Sequence, residues 1–107
     1  MIIAERTLDL APDGQTVKIS LTMPEIDDGS WFCTYRIDWP QGTRAVKTGG
    51  VDPIQALVCA LQLLGAEIYA SNFHKEGRLS FEGQPGYGIP VPPNFRKDLV
   101  GYDADYI

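Results

Sequence analysis

Apolar residues recur at helical spacing in the middle of the chain. They follow an i, i+3, i+4 pattern and form one stripe of Ile54, Leu57, Val58, Leu61, Leu64, Gly65 and Ile68. Asp52 suits the N-cap position, with Pro53 as the first helical residue and Gln55 three residues after the cap. The pattern predicts one helix over residues 52–76, with Gly77 as its C-terminal cap.

Gly65 leaves two interpretations of this helix open. By itself it could be a C-cap that ends the helix after Leu64. Ile68, however, continues the stripe in phase, and Gly65 itself falls on the stripe. A continuous helix is favoured, in which the glycine allows the helix backbone to approach a sheet closely, at a propensity cost of about 1 kcal/mol.

Alternation of apolar and polar residues predicts strands before and after this helix. Four segments precede it, with turns such as Pro12-Asp13-Gly14 between them, and a short fifth strand follows: residues 2–10, 16–23, 31–39, 43–48 and 78–83. Trp31, Tyr35 and Trp39 share one face of the third strand, which favours core packing, although Trp and Tyr are also frequent interface anchors. Short connections favour an antiparallel meander whose apolar face is covered by the helix.

The composition changes after residue 83. The last 24 residues, 84–107, contain half of the prolines, which excludes a regular helix or a central strand through Pro93. They also contain too many apolar residues for a disordered tail. We therefore expect an α+β core domain of four or five antiparallel strands and one long helix over residues 1–83. An extended, proline-rich C-terminal arm over residues 84–107 should pack on the core or on a second subunit.

The helix face opposite the stripe is nearly uncharged, whereas a helix on a sheet normally presents charged residues to water. This predicts that a partner or the arm covers it. The interface candidates are Gln55, Cys59, Gln62, Leu63, Ala66, Ala70 and Phe73 on the helix, and Tyr87 and Phe95 on the arm.

Charge and composition restrict the possible partners. The 107-residue chain has a formal net charge of −5, and its nine basic residues are scattered, which argues against a nucleic-acid or anionic-membrane surface. Gln55, Gln62 and Glu67 interrupt the apolar helix, so no membrane span is expected. The N-terminus does not resemble a signal peptide, and two cysteines do not make a disulfide framework. A cytoplasmic location is the expectation.

Candidate chemistry is sparse. Cys33 or Cys59 would need His74 beside it to act as a nucleophile, and two structural cysteines are favoured. One histidine cannot build a structural zinc site, and as a cation His74 suits a helix C-terminus.

The remaining polar motifs are also favoured as structural. The Gly49-Gly50-Val51-Asp52 segment before a helix suggests an anion site, but the Asp52 carboxylate competes for the same N–H donors. The acidic pairs Asp27-Asp28 and Asp103/Asp105 do not match a calcium loop and are expected to be solvated. We expect no catalytic residue, no metal and no cofactor.

Four segments carry a resemblance to a known family: IIAERTLDL, WFCTYRID, GVDPIQALVCALQLLGAEIYAS and GRLSFEGQPGYGIPVP. Together they cover most of the chain up to Phe95. They resemble an uncharacterised bacterial single-domain family, a domain of unknown function. The resemblance implies a bacterial, cytosolic, single-domain protein and no particular activity.

Three functions are compatible with these features. The favoured hypothesis is a non-catalytic interaction module that self-associates, most simply as a homodimer. The second is a small acidic protein that neutralises or escorts another bacterial protein. The third is a small-molecule binder with a pocket beside the arm, near Arg36, His74 and Tyr87; such a pocket would have to be concave, with convergent polar groups.

Overall fold

Alternating strands and one long helix form the architecture of this computed structural model, which describes residues 1–107. The strands are β1 (Ile2–Leu10), β2 (Gln15–Thr22), β3 (Glu25–Asp27), β4 (Ser30–Trp39), β5 (Gly42–Gly50) and β6 (Leu79–Ser80). The helices are α1 (Pro53–Ala70), α2 (Asn72–Lys75), a 3₁₀ helix (Pro93–Asp98) and α3 (Gly101–Tyr106). An antiparallel sheet with one long helix packed on it confirms the predicted α+β class.

The sheet has six strands rather than four or five. Its order is β3-β4-β2-β1-β6, with β5 also paired to β4. The additional strand, β3, lies in a segment predicted to be a turn, and it pairs with β4 through Ile26 and Trp31. β2 ends before Pro24, which has no N–H for a ladder. Met23, at the end of the predicted strand 16–23, lies outside β2 and is 45% exposed.

By their contacts the residues form two compact units. The first unit comprises Met1–Arg6 and Val17–Leu61, and the second comprises Thr7–Thr16 and Gln62–Ile107. Residues 84–107 belong to the second unit together with the second half of α1. The extended arm is not confirmed, because this segment contains the 3₁₀ helix and α3.

The core of the first unit is built on alternate residues of two strands. The buried side chains are Val17, Ile19 and Leu21 on β2, Cys33, Tyr35 and Ile37 on β4, and Ala56 and Ala60 on α1. The hydroxyl of Thr48 on β5 donates to the carbonyls of Cys33 (2.9 Å) and Ala56 (3.2 Å), so it joins two strands to the helix. The predicted core packing of β4 is confirmed at Tyr35, which is buried, whereas Trp31 and Trp39 are half-buried.

α1 turns its small residues, not its large ones, toward the core of the first unit. A methyl group on Gly50 would lie 2.4 Å from the nitrogen of Ala56, so the helix backbone lies against the end of β5. Such a close approach admits only small side chains at the contact. Ile54 and Val58, predicted to pack inward, are instead 73% and 44% exposed. That part of the predicted stripe is wrong.

The second half of α1 packs as the stripe predicts, but against a different element. Leu64, Gly65 and Ile68 are buried, and the helix is continuous through Gly65, as expected. A methyl group on Gly65 would lie 2.2 Å from the carbonyl oxygen of Pro90. The close approach that this glycine allows is therefore to the 84–92 segment and not to a sheet.

Both ends of α1 are capped by side chains. The N–H of Gln55 donates to Asp52 Oδ1 (2.7 Å), and Gln55 Oε1 accepts from the N–H of Val51 (2.7 Å), which confirms the predicted capping arrangement. The helix ends at Ala70, however, rather than at residue 76. Ser71 ends it, because its hydroxyl donates to the Ile68 carbonyl and caps the short helix α2.

α1 satisfies a length and composition test for a membrane-crossing helix, with a mean hydropathy of 1.4 over 18 residues. The expectation that no segment approaches a membrane span is wrong on this criterion. A core helix of a soluble protein passes the same test, and a third of this helix, 33%, is buried inside the protein. The test therefore does not place the chain in a membrane.

Candidate functional site

A cavity of about 750 Å³ lies in the second unit. Aromatic and apolar side chains make most of its wall, including Tyr69, Tyr87, Phe95 and Val100. Three polar side chains also line it: His74 and Lys75 on α2, and Asp98 at the end of the 3₁₀ helix. Its volume and its mainly apolar wall with a few polar groups are typical of small-molecule sites.

Three rings form one packed cluster at this wall. Tyr69 lies edge-on to His74, with ring centroids 4.4 Å apart, and to Tyr87, with centroids 5.4 Å apart. His74 Nδ1 and the Tyr87 hydroxyl lie 2.6 Å apart and share a hydrogen bond. The end of α1, α2 and the 84–92 segment each supply one of these rings, so the cluster forms only when all three are folded.

Asp103 on α3 fixes the cluster from behind. Its side chain is fully buried and accepts three hydrogen bonds. Oδ2 accepts from the hydroxyl of Tyr69 (2.5 Å) and the N–H of Tyr87 (2.8 Å), and Oδ1 accepts from the N–H of Gly88 (2.6 Å). Tyr69 belongs to α1, and Tyr87 and Gly88 belong to the 84–92 segment. The carboxylate of Asp103 on α3 therefore connects these three elements by hydrogen bonds.

Burial sets the protonation of the ring cluster. Desolvation raises the pKa of both tyrosines well above its usual value, and Asp103 adds to the effect through its hydrogen bond to Tyr69 and its charge near Tyr87. Desolvation also lowers the pKa of His74, although the charges of Asp103 and Asp98 oppose this. At neutral pH the cluster therefore contains two phenols and a neutral imidazole.

His74 keeps one ring nitrogen available. Its side chain makes a hydrogen bond only through Nδ1, to Tyr87. No buried side-chain nitrogen or oxygen in the structure lacks a partner, so Nε2 is open to solvent. When the Tyr87 hydroxyl donates to Nδ1, the imidazole proton lies on Nε2, which then acts as a hydrogen-bond donor.

The ligand-pocket candidates are brought together only in part. His74 and Tyr87 meet in the cavity, as the third hypothesis requires. Arg36 does not line it: this residue lies exposed on β4, where its Nε donates to Asp38 Oδ1 at 3.0 Å. Its assignment to the pocket is therefore wrong, because alternation on a strand indicates the face of a residue but not the element that covers it.

A family model described as a domain of unknown function, DUF6968, matches residues 4–91. The chain belongs to the DUF6968 family. No curated protein and no solved structure matches the chain. The matched range of the DUF6968 model includes Tyr69, His74 and Tyr87, and it ends before Asp98 and Asp103.

The sequence analysis did not identify two central residues of this site in the chain. Tyr69 lies outside the predicted stripe of α1, and the pattern predicts that Asp103 is a solvated acid. Two glycines around Tyr87, Gly86 and Gly88, were the available signal, because N–H groups in such a segment can converge on an anion. Which anion they bind could not be read from the sequence, since Asp103 lies 15 residues from Gly88.

The interface candidates of the DUF6968 chain do not form one surface. Tyr87 is buried, and Phe95 and Ala70 line the cavity. On α1, Gln55 and Leu63 are exposed, whereas Cys59, Gln62 and Ala66 are half-buried. Phe73 is half-buried, with the Arg78 guanidinium 5.1 Å from its ring centroid.

The first unit of the DUF6968 chain has a smaller depression of about 310 Å³. Its lining includes Asp27, Phe32 and Lys47, and these groups are occupied with one another. Lys47 Nζ lies 4.2 Å from the Phe32 ring centroid and 3.5 Å from Asp27 Oδ2. No group of three or more His, Cys, Asp or Glu side chains is placed to hold a metal ion. The cavity with His74 remains the best candidate site.

Proposed function

We propose that this protein binds a small molecule in the cavity of its second unit and does not catalyse a reaction. The observation that carries the proposal is the open Nε2 of His74 in a wall that is otherwise mainly apolar. The ring is held in place by Tyr87, and Tyr87 in turn by Asp103. A hydrogen-bonding group held this firmly inside an apolar recess can orient a ligand without much loss of side-chain entropy.

The titratable groups favour binding over catalysis. Asp103 has no exposed surface, so its carboxylate cannot reach a molecule in the cavity. General acid–base catalysis needs a group with a pKa near the working pH beside its partner. The Tyr87 phenol, the only side chain hydrogen-bonded to His74, has a raised pKa and holds its proton at neutral pH.

A small-molecule screen followed by NMR tests this proposal. Binding compounds should shift the backbone amides of Tyr69, His74 and Tyr87. An Ala70→Trp variant fills the cavity from the end of α1 and should abolish these shifts. Ala104→Trp is the matched control, because Ala104 is exposed on α3 and does not line the cavity. Shifts that survive Ala70→Trp, or that map to the first unit, would contradict the proposal.

Self-association is a second candidate, favoured by the exposed apolar residues at the start of α1. Val51, Ile54 and Val58 are 81%, 73% and 44% exposed. Apolar side chains at this spacing usually face another surface. A second copy of the chain suits this stripe because α1 itself contains no charge before Glu67, and the carboxylate of Asp52, beside Val51, is engaged with the N–H of Gln55 as the N-cap.

Sedimentation or light scattering at micromolar concentration tests self-association. Wild type should be a dimer, and Ile54→Glu should make it a monomer because it places a charge in the contact. Tyr106→Glu serves as the control, since Tyr106 is 73% exposed but lies on α3 in the second unit. A wild-type monomer, or a dimer that Ile54→Glu leaves intact, would rule this candidate out.

We also propose a bacterial, cytoplasmic setting. Both cysteines are free, which supports a reducing compartment. A role in neutralising or escorting another protein stays a prediction, since no particular contact or surface favours it.

A further inference from the structure

We infer that the cavity of the second unit takes a free aromatic amino acid. The inference rests on the proposed function, since it names the ligand class of the same site. Such a ligand has three parts: an aromatic group, a carboxylate and an ammonium. The cavity wall offers a complementary group for each of them.

The aromatic group of the ligand would contact the larger part of the cavity wall. Tyr69, Tyr87, Phe95, Pro85 and Val100 line the cavity. Tyr69 and Tyr87 are only 4% and 2% exposed and are held by Asp103, so they form a rigid base of the cavity, and the more exposed Phe95, Pro85 and Val100 offer the surface that a ligand can contact. A planar apolar group gains from such contacts through area burial and through edge-to-face packing.

Two side chains of opposite charge complement the backbone end of the ligand. Lys75 and Asp98 both line the cavity, and neither forms an ion pair or a side-chain hydrogen bond in the structure. Asp98 lies close enough to His74 to influence its pKa. A ligand with a single charge would pair with one of the two groups and leave the other without a partner in the cavity. A zwitterion satisfies both.

His74 supplies a second donor for the carboxylate. It is the neighbour of Lys75 on α2, and both residues line the cavity. With Nδ1 engaged by Tyr87, the Nε2–H group is the donor that remains. One charged donor and one neutral donor on consecutive residues suit the two oxygens of a carboxylate.

Calorimetric titration with three related compounds tests the inference. Phenylalanine has all three parts, phenylacetate lacks the ammonium, and phenethylamine lacks the carboxylate. We expect phenylalanine to bind most tightly and each of the other two to bind roughly two- to fivefold more weakly, as expected for the loss of one partly exposed ion pair. Equal affinity for the three compounds would overturn the inference.

Matched variants test which side chain binds the carboxylate of the ligand and which binds its ammonium. Lys75→Met should weaken phenylalanine roughly two- to fivefold and leave phenethylamine unchanged. Lys97→Met is its control, because Lys97 is exposed on the 3₁₀ helix and does not line the cavity. Asp98→Asn should weaken phenylalanine but not phenylacetate, with Asp105→Asn as its control. All four positions are exposed, so folding should be unaffected.

The outcomes separate the inference from the proposed function. If other small molecules shift the amides of Tyr69, His74 and Tyr87 in a screen while none of the three compounds binds, the cavity is a ligand site for a different class and the inference fails alone. If no compound of any kind reaches the cavity, the proposed function and the inference fail together. Loss of affinity in the control variants Lys97→Met or Asp105→Asn would also overturn the inference.

Discussion

The two halves of α1 use the same helical periodicity in different ways. In the first half, small residues face the core of the first unit, and the large apolar side chains Ile54 and Val58 are exposed. In the second half, the large residues Leu64, Ile68 and Tyr69 are buried in the second unit. The first half of this continuous helix, whose large apolar side chains are exposed, is called the open half below. The second half, whose large apolar side chains are buried, is called the closed half.

The difference lies in what limits the approach of the neighbouring backbone. In the first unit the helix backbone itself lies against Gly50, which leaves no room for large side chains at the contact. In the second unit the 84–92 segment approaches the helix at Gly65, and the large residues Leu64 and Ile68 on either side of it are buried. Apolar character shows which residues can be buried, and side-chain size shows which of them can be buried at a close contact.

Removal of the buried carboxylate should have the largest effect, and only on the closed half. Asp103→Ala leaves the Tyr69 hydroxyl and the N–H groups of Tyr87 and Gly88 without their acceptor. Each buried donor without its acceptor costs about 1–3 kcal/mol, so we expect the free energy of unfolding to fall by about 4–5 kcal/mol for the three together. Asp105→Ala, on the exposed side of the same helix, should change it by less than about 0.5 kcal/mol. Urea denaturation followed by circular dichroism measures both, and similar values for the two variants would contradict the anchoring role of Asp103.

The same substitution in both halves of α1 compares them directly. Ile68→Ala removes a fully buried side chain and should cost about 2–4 kcal/mol of unfolding free energy. Ile54→Ala removes a side chain that is 73% exposed and should cost less than about 0.5 kcal/mol. Urea denaturation below the concentration at which the protein self-associates gives both values. A large cost at Ile54 in a monomer would show that the first half is covered after all.

Gly65 should be difficult to replace although alanine is the better helix former. Gly65→Ala gains about 1 kcal/mol of helix propensity but places a methyl group 2.2 Å from the Pro90 carbonyl oxygen. We expect a net loss of stability of about 1–2 kcal/mol as the 84–92 segment moves away. Gly49→Ala is the comparison in the first unit, where the nearest atom, on Phe32, is 3.4 Å away, and stability should hardly change. A more stable Gly65→Ala protein would mean that this segment packs loosely.

The smallest effect should be a loss of folding stability as the pH falls below neutral. Burial lowers the pKa of His74 in the folded state, so the unfolded chain binds a proton more readily. The stabilisation is complete above the unfolded pKa of about 6.5 and is lost as the pH falls through the folded pKa. His74→Gln, which keeps a hydrogen-bonding group for Tyr87, should lose less stability than wild type between neutral and mildly acidic pH. Identical pH profiles for the two proteins would show that His74 is solvated in both states.

The sequence predicts those parts of this fold that follow from local pattern. The strands, the class of fold, the cap at Asp52 and the continuity of the helix at Gly65 all depend on neighbouring residues. The burial of Asp103 depends on partners far along the chain, and the exposure of Ile54 depends on how closely the helix backbone approaches Gly50, so periodicity and charge alone gave the wrong environment for both. His74 and Tyr87 were identified because an arm beside the helix end was expected, but the residue that holds them together was not.

The division into two units separates the natural optical probes of the molecule. Both tryptophans, Trp31 and Trp39, lie on β4 in the first unit, whereas four of the five tyrosines, Tyr69, Tyr87, Tyr102 and Tyr106, lie in the second. Tryptophan fluorescence therefore reports on the first unit, and tyrosine absorbance reports mainly on the second. Recorded together during one denaturation experiment, the two signals would coincide if the units unfold as one and diverge if the closed half of α1 opens first, and no label would have to be introduced.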